Sequence, residues 1–170
     1  MNDFSDEERA ELAELHAARA EKHQAGMAAL RNELPGSMRP GEQTGALATL
    51  YCEDNGGLGI YLDDTARYVI RMPVDSAVEP GMVDLEGTEA TVERSRYSKA
   101  EIDTILDTLL LRRWHPEARN YVYAFTYDAK TDRVDADSSA PPEVITPLLE
   151  SFAEALEVRF SPMRSRGAPH

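Results

Sequence analysis

Apolar residues change their spacing along this chain, and the changes mark out its elements. Over residues 1–34 they are sparse: Leu12 and Leu15 near the start, Met27, Leu30 and Leu34 near the end, with Arg19, Lys22 and Gly26 interrupting the stripe between them. Ser5 followed three residues later by Glu8 is a capping box, and Asp6, Glu7 and Glu8 suit the positive end of a helix dipole. One long helix is predicted, stopped by Pro35-Gly36. So thin a stripe predicts a solvated helix that lies on the rest of the chain by its two ends, the alternative being a helix that awaits a partner. Residues 35–46, PGSMRPGEQTGA, hold Pro, Gly and Ser and little to pack, so they read as a linker.

From Leu47 the pattern turns to short runs rich in β-branched and aromatic residues, which predict strands. Leu58 to Leu62 and Tyr68 to Met72 form a hairpin turned at Asp63-Asp64, and Pro73 ends it by removing a ladder donor. Residues 75–88 read as a loop or short irregular helix. A strand from Thr88 leads into Tyr97-Ser98-Lys99-Ala100-Glu101, where Ser98 and Glu101 are a second capping box and Tyr97 with Ile102 its hydrophobic staple. Ile102, Ile105, Leu106 and Leu109 then repeat at i, i+3, i+4 and i+7, one apolar helix face that would cover a sheet. Tyr121 to Tyr127 alternates aromatic residues as a strand, turns at Asp128 to Asp132 and returns through Val134. A last helix carries Val144, Ile145, Leu148, Leu149 and Phe152, and a last strand alternates Leu156, Val158 and Phe160. The expectation is an α+β fold: an antiparallel sheet covered on one face by two helices, at 99–113 and 142–154, preceded by a separate long N-terminal helix. The domain spans 47–160 and a flexible tail follows at 161–170.

Charge narrows the partners. Eighteen basic against 31 acidic residues leave a net charge of −13, which repels nucleic acid and anionic membrane surfaces and suits a basic protein partner. The single cysteine, Cys52, allows no internal disulfide, and no apolar run approaches the roughly 18 residues that cross a bilayer. The acidic, polar start MNDFSDEERAEL is unlike a secretory signal and predicts a cytoplasmic chain.

Candidate chemistry is thin. No serine sits in a G-x-S-x-G setting, and His16 and His23 are separated by about 10 Å of helical rise, too far to share a metal. Asp128, Asp132, Asp135 and Asp137 lack the glycine and the twelfth-position glutamate of a calcium loop. Asn55-Gly56-Gly57-Leu58-Gly59 lacks the spacing of a phosphate cradle and enters a strand instead of a helix. His115 beside Glu117 is the one place where a base and a carboxylate are near each other in a segment between helix and strand. No catalytic residue, metal ligand or cofactor is predicted.

Residues 58–160 resemble, in order along the chain, the pro-domains of secreted bacterial chymotrypsin-like proteases, the alpha-lytic protease and streptogrisin type. Leu58-Gly59-Ile60-Tyr61-Leu62-Asp63 with Tyr68-Val69-Ile70-Arg71-Met72-Pro73-Val74-Asp75-Ser76-Ala77 is similar to the family's first hairpin and the small residues after it. Val92 to Tyr97-Ser98 and Glu101-Ile102 is similar to its strand into a capped helix, Tyr127 to Val134 to its Asp-led turn, and Glu157-Val158-Arg159-Phe160 to its last strand. The resemblance implies a non-enzymatic module, an inhibitor or folding chaperone of a serine protease, that binds by strand addition through Val158, Arg159, Phe160 and the tail after them. Two alternatives stand beside it. One is an acidic immunity or regulatory protein that neutralises a basic protein through a face at Asp132, Asp135 and Asp137; the other is a structural domain with no binding role.

Overall fold

The computed structural model describes residues 4–33 and 38–161. Its elements run α1 (Asp6–Glu33), α2 (Pro40–Asp54), β1 (Gly59–Leu62), β2 (Tyr68–Met72), β3 (Gly81–Leu85), β4 (Thr88–Arg94), α3 (Lys99–Leu111), a short 3-10 turn (Ala118–Asn120), β5 (Tyr123–Asp128), β6 (Arg133–Ser138), α4 (Pro142–Phe152) and β7 (Leu156–Phe160). The fold is α+β, with the long helix ahead of the sheets. In place of one antiparallel sheet there are two mixed ones, ordered β1-β2-β4-β3 and β5-β6-β7. Each contains one parallel pair, β2 with β4 and β6 with β7. The second follows from the sequence order: α4 carries the chain back over the sheet so that β7 enters in the direction of β6.

The expected linker and the strand after it are a helix over much of their length. Residues 40–54 form α2, which starts on a proline at its first position, where no helical N–H is lost, and carries Glu42 accepting from the Arg39 N–H at 3.2 Å. Its far end is a Schellman cap: the Gly56 N–H reaches Glu53 O (3.1 Å) and the Gly57 N–H reaches Cys52 O (2.7 Å), with Gly56 at φ +67°. Glycines inside α2 oppose helix formation, but packing overrides them. Ala48 and Cys52 are buried with Ile70, Met72, Leu85, Ala90 and Val92, so α2 is the lid of the first sheet. A Cβ on Gly45 would stand 2.5 Å from the Tyr68 hydroxyl, which explains a glycine in mid-helix. Residues 81–85, expected within a loop, are the edge strand β3, paired with β4 from Gly81↔Val92 to Leu85↔Thr88.

The second sheet has the predicted two-helix cover. Ile102, Ile105 and Leu109 of α3 and Leu148 of α4 are buried against Val134, Ala136 and Leu156. Ser98 accepts from the Glu101 N–H (3.2 Å) while the Glu101 carboxylate takes the Ser98 N–H (2.7 Å), the reciprocal cap read from the sequence. Past the other end of α3, Trp114 donates Nε1–H to Val144 O at 2.9 Å and meets Tyr123 edge-on at 5.1 Å.

α1 does not touch the rest by its two ends alone: His16, Arg19 and His23 in its middle also make contacts, with Arg19 over the Phe125 ring at 5.6 Å. Leu12 and Met27 are its buried residues. Polar ties do the remainder: His16 to Asp107 (2.8 Å), His23 to Glu53 (3.0 Å), Arg31 to Asp54 (2.5 Å), and Arg113 and Arg119 to Glu11 (2.5 and 3.1 Å). Exposed pairs contribute about 0–1 kcal/mol each and weaken with salt, so the two apolar anchors decide whether α1 stays docked. The double substitution Leu12→Ala with Met27→Ala is therefore expected to speed proteolytic cutting of α1 while the melting of the remaining chain stays within about 2 °C of wild type. A large drop in that melting temperature would show α1 to be part of the cooperative unit.

Candidate functional site

The sheet edge at β7 is where the residues singled out by the resemblance lie. The Val134 N–H donates to Ala155 O (2.8 Å) and the Ser161 N–H to Ser138 O (2.9 Å), so odd-numbered residues of β7 turn their main-chain groups toward β6. The period of two along a strand then turns the N–H and C=O of Leu156, Val158 and Phe160 the other way. On that side no strand pairs among the described residues, because β7 closes the order β5-β6-β7. Leu156 is buried and Val158 packs half-buried against the core, but the Phe160 ring is 68% exposed. An edge with unpaired main-chain groups and an exposed aromatic side chain can accept a further strand.

The opposite face of the same strands carries charge in an alternating arrangement. Arg159 bonds Asp135 (2.6 Å) and Glu157 (3.2 Å), and Arg133 bonds Glu157 (3.0 Å). Glu157 is named in the resemblance only as part of the last strand; its pairing with Arg133 and Arg159 is signalled by the Glu-x-Arg alternation of β7. The three aspartates expected to form an acidic face separate. Asp137 is exposed, Asp135 lies under Arg159, and Asp132 is buried at 6% exposure. A turn residue at φ +56°, Asp132 points its carboxylate inward, between the sheets.

There it holds a polar junction. Its Oδ1 accepts from Ser95 Oγ and from the Tyr127 hydroxyl, both at 2.6 Å, and its Oδ2 from the Arg96 N–H (2.8 Å) and Arg96 Nε–H (3.2 Å). Burial alone would raise its pKa, but these donors outweigh it and hold the carboxyl below its ordinary value. The Tyr127 phenol is pushed up, first by burial and then by its bond to the carboxylate, so it keeps its proton and donates. Ser95 is buried, and its hydroxyl donates to Asp132 while accepting the Tyr97 N–H at 2.9 Å. The cluster joins the β5–β6 turn to the strand β4, aided by Arg71 Nε–H donating to Ala129 O at 3.1 Å.

His115 and Glu117 meet through the Glu117 N–H, which donates to His115 Nδ1 at 3.2 Å, and the helix before them already ends at Arg112 in the left-handed conformation. Cys52 is buried and burial pushes its thiol up to about 11, so it stays a thiol. A groove of about 650 Å³ between the start of α3 and the end of α4 is floored by Ile105, Phe152 and Ala155 and rimmed by Glu150 and Glu154, without a histidine or cysteine in its lining. Among the described residues no group of three or more His, Cys, Asp or Glu side chains is placed to hold a metal ion. No helix among them is long and apolar enough to cross a membrane. The expected tail lies, from Pro162 on, outside the described residues.

No protein-family model matches the chain, and no curated protein matches it.

Proposed function

We propose that this chain is a non-enzymatic protein-binding module that takes an extended segment of its partner as an added strand on β7, with Val158, Arg159, Phe160 and the tail after them as the contact. The observation that supports the reading is the open edge itself, with the main-chain groups of Leu156, Val158 and Phe160 unpaired by any strand among the described residues and the Phe160 ring exposed. The resemblance to protease pro-domains supplies the partner class to test, a chymotrypsin-like serine protease that the module would inhibit or help to fold. A charge-steered reading through Asp132, Asp135 and Asp137 lacks comparable support, since one of the three is buried and another is already paired.

The test is a titration of the full chain against a secreted bacterial chymotrypsin-like protease, read as inhibition and as direct binding. Truncation after Ser161, which keeps the Ser161 N–H bond to Ser138 O, is expected to leave the circular dichroism spectrum and melting temperature unchanged and to weaken binding at least about tenfold. Equal binding by intact and truncated chains would remove the tail from the contact. Absence of both inhibition and binding would remove the protease as partner.

A further inference from the structure

Two-fold symmetry makes β7 complementary to itself. The strand reads Leu156-Glu157-Val158-Arg159-Phe160, with opposite charges at equal distances on either side of Val158. If a second β7 runs antiparallel to the first with Val158 opposite Val158, then Leu156 faces Phe160 of the second copy and Glu157 faces its Arg159, each pairing occurring twice. The main-chain register agrees. The residues whose N–H and C=O point to the open side are Leu156, Val158 and Phe160, and these are the positions that exchange both hydrogen bonds in such an antiparallel ladder, while Glu157 and Arg159 fall at the closer, non-hydrogen-bonded positions where cross-strand side chains interact best. Both charged side chains have room to reach across, at 41% and 57% exposure.

We infer that the β7 edge is closed in solution by β7 of a second copy of this chain, giving a continuous six-stranded sheet across a two-fold axis. The inference rests on the same reading of β7 as a strand-accepting edge, and names the second copy as an occupant. Three features converge on it. An exposed edge with a bare aromatic ring is a liability that proteins cover. An antiparallel, isologous pairing is self-limiting and stops at two. Among the four edge strands of the described residues, β7 alone carries opposite charges placed symmetrically about its centre. On β3 the same operation about Val83 would set Met82 against Asp84, β1 carries no charge, and β5 has a single charge, Asp128, at its end. The pairing also extends the charge alternation already present on this face, where Arg133, Glu157, Arg159 and Asp135 are linked.

The test uses the full chain in sedimentation velocity and equilibrium across the micromolar range. Wild type is expected to move from 18.9 kDa toward twice that mass as its concentration rises. Glu157→Arg and Arg159→Glu, each alone, set like charges opposite one another twice per dimer and are expected to weaken association at least about tenfold. Mixed together, the two variants restore opposite charges at both positions and the dimer returns, which a folding defect in either could not produce. Val158→Pro removes a main-chain donor that points away from β6, so β7 keeps its own ladder while the dimer is lost. A wild-type chain that stays at 18.9 kDa throughout, single variants that associate as tightly as wild type, or a mixture that remains monomeric would each overturn the inference. A monomeric chain that still inhibits the protease sinks the dimer and leaves the proposed function standing. A dimer that neither binds nor inhibits the protease does the reverse.

Discussion

Replacing Asp132 with alanine is expected to lower the melting temperature by about 10 °C. The carboxylate accepts four hydrogen bonds, two on each oxygen, from Ser95, Tyr127 and twice from Arg96. Removing it strands the hydroxyls of Ser95, which is buried, and Tyr127, and the Arg96 N–H loses its acceptor. Breaking a buried, hydrogen-bonded charge costs about 3–5 kcal/mol, and for a chain of this size each kcal/mol moves the midpoint by about 2–4 °C. The lower figure applies because the Arg96 side chain keeps 55% of its exposure and water can solvate it. Asp132→Asn should retain part of the loss, since its amide offers one acceptor where two are needed. Acid titration separates charge from shape. The folded carboxyl has its pKa below the ordinary 3.8, so its contribution is complete above that value and disappears as pH falls through the depressed folded one. Wild type and Asp132→Asn should therefore differ most near neutral pH and converge in the acid range below about pH 3.8. A gap that stays constant with pH would assign the effect to packing.

Where sequence and structure agree, local chemistry was enough. The Ser98–Glu101 cap and the repeat of Ile102, Ile105 and Leu109 define α3 without tertiary help, and the period of two over Leu156, Val158 and Phe160 defines β7. The candidate edge was legible to the same extent: its residues could be named, but whether they lie at an edge depends on strand order, which hydrophobic periodicity does not encode. The split into two sheets belongs to the same class, because parallel pairs such as β6 with β7 are joined through an intervening helix and leave no local signature. Helix α2 was hidden by its glycines and by the small size of its core residues, Ala48 and Cys52, although a proline at the first turn and Gly56 past the end framed it. Asp132 was hidden because an aspartate in a turn is ordinarily solvated, and only the packing of one sheet against the other turns it inward.

The end of α2 supplies the second large effect. Gly57→Ala is expected to destabilise the chain by about 3 kcal/mol, at the upper end of what overpacking does. A Cβ at that position would press on Cys52 Sγ and stand 3.0 Å from Cys52 O and 3.1 Å from Met72 Sδ. The backbone cannot retreat, since the Gly57 N–H is itself bonded to Cys52 O at 2.7 Å as part of the helix cap, and Cys52 and Met72 are both buried. Gly56→Ala makes the contrast: nothing lies within 4 Å of its added Cβ, so only the left-handed backbone at φ +67° opposes the substitution, at about 1 kcal/mol. Cys52→Ala alone loses a small buried side chain and should cost about 1 kcal/mol. Combined with Gly57→Ala it removes the sulfur while the carbonyl contact stays, so the double variant should recover about 1 kcal/mol of the loss, leaving it more stable than Gly57→Ala alone. Urea unfolding of wild type, the two single variants and the double variant measures the cycle. If Gly57→Ala is neutral, or if adding Cys52→Ala makes it worse by the full cost of the single change, then the helix end does not sit against the strand as described, and α2 is not the fixed lid of the first sheet.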